Sequence, residues 1–178
     1  MSLADWIERA KRWLTGARPT PRTSAGESAP RHDDHPTEMR TDHIMCVGPH
    51  GIHRMVYYEW GDPTNPKVLL CVHGLTRTGR DFDELARALA PHYRVICPDV
   101  VGRGLSDWLT VKTDYTIPLY VSDLFTLLGK IRPKTLHWLG TSMGGLIGMT
   151  LAAQPMSPID KLVLNDVGPV LSAASLER

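Results

Sequence analysis

Long apolar runs are missing from this 178-residue chain. No stretch approaches the roughly 20 residues that a membrane-spanning helix requires. Asp5 and Glu8 interrupt the apolar residues at the start, so the apolar core of a signal peptide is missing too. An excess of one charge is also missing. Twenty Lys and Arg residues stand against 19 Asp and Glu, and the net charge is +1. No basic field marks nucleic acid as a partner. Cysteine is scarce. Cys46, Cys71 and Cys97 are odd in number and irregular in spacing, which excludes a disulfide framework and a zinc pattern. Cys71 and Cys97 sit inside apolar runs and read as buried thiols in a reducing compartment. A cytoplasmic protein with a small-molecule partner is the expectation.

What is present divides into three segments. Residues 1–16 read as an amphipathic helix, with Leu3, Trp6, Ile7, Ala10, Trp13 and Leu14 at helical spacing. It is either an accessory helix or, through residues 3–14, a docking element for a membrane surface or a partner. Residues 17–42 are rich in Pro, Ser, Thr, Arg, His and Asp. They read as a disordered linker, because such a stretch cannot bury enough surface to offset its ordering entropy. From residue 43 to 178, short apolar runs alternate with helical stretches. Strands are expected at His43–Val47, His53–Trp60, Val68–Val72, Arg94–Cys97, Leu136–Leu139 and Leu162–Leu164. Helices are expected at Asp81–Leu89, Leu119–Leu128 and Met143–Ala153. This alternation implies an α/β fold with a doubly wound, mostly parallel sheet.

Three motifs carry chemistry. The strongest is Gly140-Thr141-Ser142-Met143-Gly144, followed by Gly145, between an apolar strand and an apolar helix. That is the setting of a nucleophile elbow. Gly140 and Gly144 remove side chains that would collide across a sharp turn. Ser142 is thereby presented at the carboxyl end of a strand, where open α/β sheets place their sites. The second motif is His73-Gly74-Leu75, after the strand Val68–Val72. The N–H of Leu75 and the N–H of Met143 form an expected oxyanion hole. His73 lies in that turn and reads as structural. The third is Pro98-Asp99-Val100-Val101-Gly102-Arg103-Gly104-Leu105-Ser106-Asp107. Asp107 occupies the place of the third glycine of a dinucleotide fingerprint and no helix starts there, so a structural crossing loop is expected. No cofactor and no metal is required.

These motifs, in this order, resemble the α/β-hydrolase fold superfamily, in its serine esterase and C–C hydrolase branch. The resemblance covers about residues 43–178. It implies a hydrolase of an ester or related acyl bond in which Ser142 attacks a carbonyl.

The resemblance also exposes a gap. Its chain order is nucleophile, acid, then histidine. All eight histidines precede Ser142, the last being His137. His137 lies within a strand, and its side chain is expected to point into a packed face. Asp166 is a candidate acid; a turn residue beside Gly168 and Pro169 is the plainer reading. The chain is therefore expected to be truncated after the strand that follows the nucleophile helix. One alternative is a catalytically inactive fragment, or a subunit to which another chain supplies the histidine. Another is an acyltransferase or thioesterase on the same fold.

Overall fold

The computed structural model describes residues 38–168, together with Arg12 and Gly16. The helix expected over residues 1–16, its docking face at 3–14, most of the linker and the end of the chain lie outside the described residues.

Six strands form one sheet: β1 (Arg40–Gly48), β2 (Gly51–Trp60), β3 (Lys67–Val72), β4 (Arg94–Pro98), β5 (Thr135–Thr141) and β6 (Ile159–Asn165). Their order is β1-β2-β4-β3-β5-β6. The β1–β2 and β2–β4 pairs are antiparallel. The β4–β3, β3–β5 and β5–β6 pairs are parallel. The expected mostly parallel sheet is therefore present, with an antiparallel hairpin at one edge.

Among the described residues three helices cover the sheet: α1 (Asp83–Leu89), α2 (Ile117–Ile131) and α3 (Met143–Ala152). The helix expected from Asp81 begins instead as a 3-10 turn over Gly79–Phe82. Local signals set the bounds of α2. Thr116 caps its start by accepting from the Leu119 N–H, and Pro118 sits in its first turn. Arg132, in the left-handed region at φ 52°, ends it.

Alternation along the central strands builds two cores. Val68, Leu70 and Val72 of β3 pack on one face with Leu124, Leu127 and Ile147 of α2 and α3. Leu69 and Cys71 face the other way, against Leu85, Ala86 and Leu89 of α1. A strand covered on both faces reads as a continuous apolar run for this reason. The three cysteines are free and buried.

One boundary moves. The expected linker reached residue 42, but β1 starts at Arg40. Arg40, Thr41 and Asp42 pair with Glu59, Tyr58 and Tyr57. Arg40 donates to Glu59 Oε1 and the Gly61 carbonyl, and Asp42 accepts from Tyr57 Oη and Lys130 Nζ. Polar side chains tie down this edge strand, so composition alone gave it the look of a linker.

Candidate active site

The carboxyl ends of three neighbouring strands converge. Val72 of β3 lies opposite Gly140 of β5, which lies opposite Leu164 of β6. The segments that leave these ends are His73-Gly74-Leu75, Ser142 and Asp166. They meet around a cleft of about 970 Å³ lined by His73, Gly74, Leu75, Ser142, Asn165 and Asp166, among others.

Ser142 sits between β5 and α3 with φ 49° and ψ −112°. A serine at positive φ is strained, at a cost of about 1–3 kcal/mol. The glycines around it permit the turn. A Cβ on Gly140 would lie 2.3 Å from the Gly144 carbonyl oxygen, and one on Gly144 would lie 2.0 Å from the Val72 carbonyl oxygen. Hydrogen bonds then hold the turn. The Ser142 N–H donates to Asn165 O at 2.9 Å, and the Ser142 carbonyl accepts from the N–H groups of Gly145 and Leu146. Met143 is the first residue of α3 and is buried. The partial positive charge of a helix start therefore lies beside Ser142.

The His73 turn packs directly against the elbow. A Cβ on Gly74 would sit 3.6 Å from Ser142 Cβ, so the two turns nearly touch. His73 is fully buried. Its Nε2 accepts from the Val100 N–H at 3.0 Å, and Nδ1 stands 2.7 Å from the Gly74 carbonyl oxygen, to which it therefore donates. Burial pushes its pKa below the usual histidine value. Both ring nitrogens are committed, and the imidazole acts as a bracket between two loops.

The crossing loop braces the same region. Asp99 is fully buried and accepts from Gly79 N, Tyr58 Oη and Leu105 N. Ser106 Oγ donates to Asp99 O and accepts from Val56 N. Arg103 lies between the glycines of this loop. Its Nε donates to Leu75 O at 3.0 Å, its Nη1 donates to Val101 O and Tyr120 Oη, and its Nη2 lies 3.7 Å from Met143 Sδ. It thus links the two residues expected to form the oxyanion hole. Sequence reasoning missed this residue. The only local signal was an arginine between two glycines.

The other candidates separate. Asp166 is exposed, at φ 56°, on the rim of the cleft. His137 is buried on the α1 side of the sheet, with Nδ1 2.8 Å from Tyr93 Oη. Arg77 pairs with Asp81 and Arg80 pairs with Asp83 at the cleft wall. Among the described residues, His73 is the only histidine lining this cleft. His32 and His35 lie outside the described residues.

The family model described as alpha/beta hydrolase fold matches residues 67–178, and this chain belongs to that family. It is 58% identical over 139 residues to the 3-hydroxybutyrate-oligomer hydrolase of Cupriavidus necator. That alignment covers 78% of this chain and 47% of the relative. A crystal structure from Rickettsia typhi superposes with a TM-score of 0.72 at 36% identity, covering 79% of this chain and 52% of that one. An alpha/beta hydrolase from Novosphingobium aromaticivorans superposes with a TM-score of 0.67 at 40% identity, covering 78% and 48%. The chain spans about half the length of these relatives. No helix among the described residues is long and apolar enough to cross a membrane.

Proposed function

We propose that this chain carries the nucleophile half of a serine hydrolase acting on an ester or related acyl bond of a small molecule. Oligomers of a short hydroxy acid are the leading substrate class, on the strength of the 58% identity to the Cupriavidus enzyme. One observation carries the reading: Ser142 is held at φ 49° on a strand-to-helix turn and faces the cleft.

In this reading Ser142 Oγ attacks the substrate carbonyl carbon while a histidine takes its proton. The N–H groups of Leu75 and Met143 stabilise the oxyanion that forms. Collapse of the tetrahedral intermediate expels the alcohol, which recovers the proton from the histidine. Water then attacks the acyl-enzyme by the same route. His73 is not that base, because both of its ring nitrogens are in use. The base comes from sequence outside the described residues or from another chain. Asp166, on the cleft rim, is the acid we assign to orient it.

The engaged state of His73 favours a second reading, a subunit that stays silent until another chain completes it. Fluorophosphonate labelling tests both. Labelling of the folded chain that disappears in Ser142→Ala supports the first. Labelling that appears only when a histidine-bearing partner segment is added supports the second. Undiminished ester turnover by Ser142→Ala overturns both.

A further inference from the structure

A second polar cluster lies away from the cleft, where β1, β2 and α2 meet. Cys46 and His53 are cross-strand neighbours in the hairpin. Their side chains share a face, and Asp123 projects onto it from the buried stripe of α2. Cys46 is 1% exposed, His53 4% and Asp123 1%. One donor atom from each lies within 4.8 Å of the other two. His53 Nε2 is 2.9 Å from Asp123 Oδ2.

Cys46 Sγ lies 4.0 Å from Asp123 O, and two polar atoms of the cluster are left over. Asp123 Oδ1 and His53 Nδ1 are buried without a hydrogen-bond partner among the described residues. A buried polar atom without a partner is costly, and such atoms are rare in native proteins. From this geometry we propose that Cys46, His53 and Asp123 bind one divalent cation of the zinc class and pin the β1–β2 hairpin to α2.

Three arguments carry the assignment. The donor set is one sulfur, one nitrogen and one oxygen, which suits zinc and disfavours magnesium and calcium. Charge balances as well. A thiolate and a carboxylate neutralise a divalent cation, so the occupied cluster carries no net charge into the core. Finally, there is a way in. His53 lines a cavity of about 280 Å³ together with Gly48, His50, Asp107 and Asp114. One donor atom from each of the three residues takes the ion, which leaves a fourth position for water. Binding breaks the Cys46 S–H bond and forms a metal–sulfur bond, with the proton leaving to solvent. Burial holds that thiol protonated in the free protein, with its pKa pushed up to about 12. Nothing in the local sequence spacing marks this site, because the fold alone brings the three residues together.

The test uses the 178-residue chain stripped with a chelator and titrated with cobalt(II), with zinc as competitor. One equivalent of cobalt should produce a thiolate-to-cobalt charge-transfer band, and zinc should abolish it. Cys46→Ser should remove the band, whereas Cys71→Ala should keep it. Asp123→Asn, which conserves shape, should weaken zinc at least tenfold in competition with a chromophoric chelator. Zinc should also raise the unfolding temperature of the parent and not of folded Asp123→Asn. A parent chain with native circular dichroism and no cobalt band overturns the proposal. So does a band that survives Cys46→Ser, or zinc affinity unchanged in Asp123→Asn.

Discussion

The Arg103 guanidinium donates through Nε to the Leu75 carbonyl at 3.0 Å. The same side chain reaches Met143 Sδ and Tyr120 Oη. Leu75 and Met143 are the residues whose N–H groups we assign to the oxyanion. In that assignment Arg103 is a positioning residue for both halves of the hole. Losing a whole oxyanion donor costs about 10²–10³ in rate. Loosening the turn that carries one should cost less than that, roughly tenfold. The expected outcome is that Arg103→Ala slows fluorophosphonate labelling of the active form about tenfold, with Arg103→Lys recovering part of it. A role limited to stability would lower the unfolding temperature and leave the labelling rate of folded molecules unchanged.

The elbow glycines make a sharper case, because the obstacle is backbone. A Cβ on Gly144 would lie 2.0 Å from the Val72 carbonyl oxygen and 2.6 Å from its carbon. Neither atom can move without shifting β3. Gly144→Ala should destabilise by about 3 kcal/mol, the upper end of ordinary overpacking costs, read as a fall in the urea midpoint. Gly129 in α2 is the control, since a Cβ there meets nothing within 4 Å. Gly129→Ala should raise stability by about 0.5–1 kcal/mol, because alanine loses less backbone entropy in a helix.

These positions show what was legible in the sequence. Strands β3 and β5 were readable because burial on both faces makes them apolar throughout. The elbow was readable because its turn demands glycine at fixed spacing. Arg40–Asp42 was not, since an edge strand tolerates polar side chains that find partners on β2 and α2. Arg103 was hidden for a different reason. Its partners Leu75, Tyr120 and Met143 come from three other segments, and no local pattern encodes their meeting. The Cys46, His53 and Asp123 cluster is hidden in the same way.

Ser142 itself should oppose stability. Its backbone sits at φ 49° and ψ −112°, a region glycine enters freely and serine does not. Ser142→Gly relieves strain worth about 1–3 kcal/mol, less the roughly 1 kcal/mol of extra chain entropy that glycine loses on folding. The variant should melt higher than Ser142→Ala, which removes the hydroxyl and keeps the strain. Neither should label with fluorophosphonate. Equal melting temperatures for the two would show that the strain at the elbow is no larger than the roughly 1 kcal/mol of chain entropy that glycine loses.

The bracketing role of His73 predicts a pH response of defined sign. Burial depresses its pKa in the folded chain below the ordinary 6.5. The unfolded chain therefore binds a proton first as pH falls. The stability this group contributes is complete above about 6.5 and declines below it, by up to about 1.4 kcal/mol per pH unit. Burial depresses His137 in the same direction. Asp123 works the other way, because its carboxyl is pushed up by burial. Comparing two variants of one residue cancels both. His73→Gln keeps a donor for the Gly74 carbonyl and an acceptor for the Val100 N–H, but it cannot take up a proton. It should be less stable than the parent at about pH 7.5, because the shorter bracket fits less well. Its loss of stability between about pH 7.5 and about pH 5.5 should be shallower. Urea midpoints at the two pH values decide the matter. Parallel losses in parent and variant would mean that His73 takes up no proton on unfolding in this range.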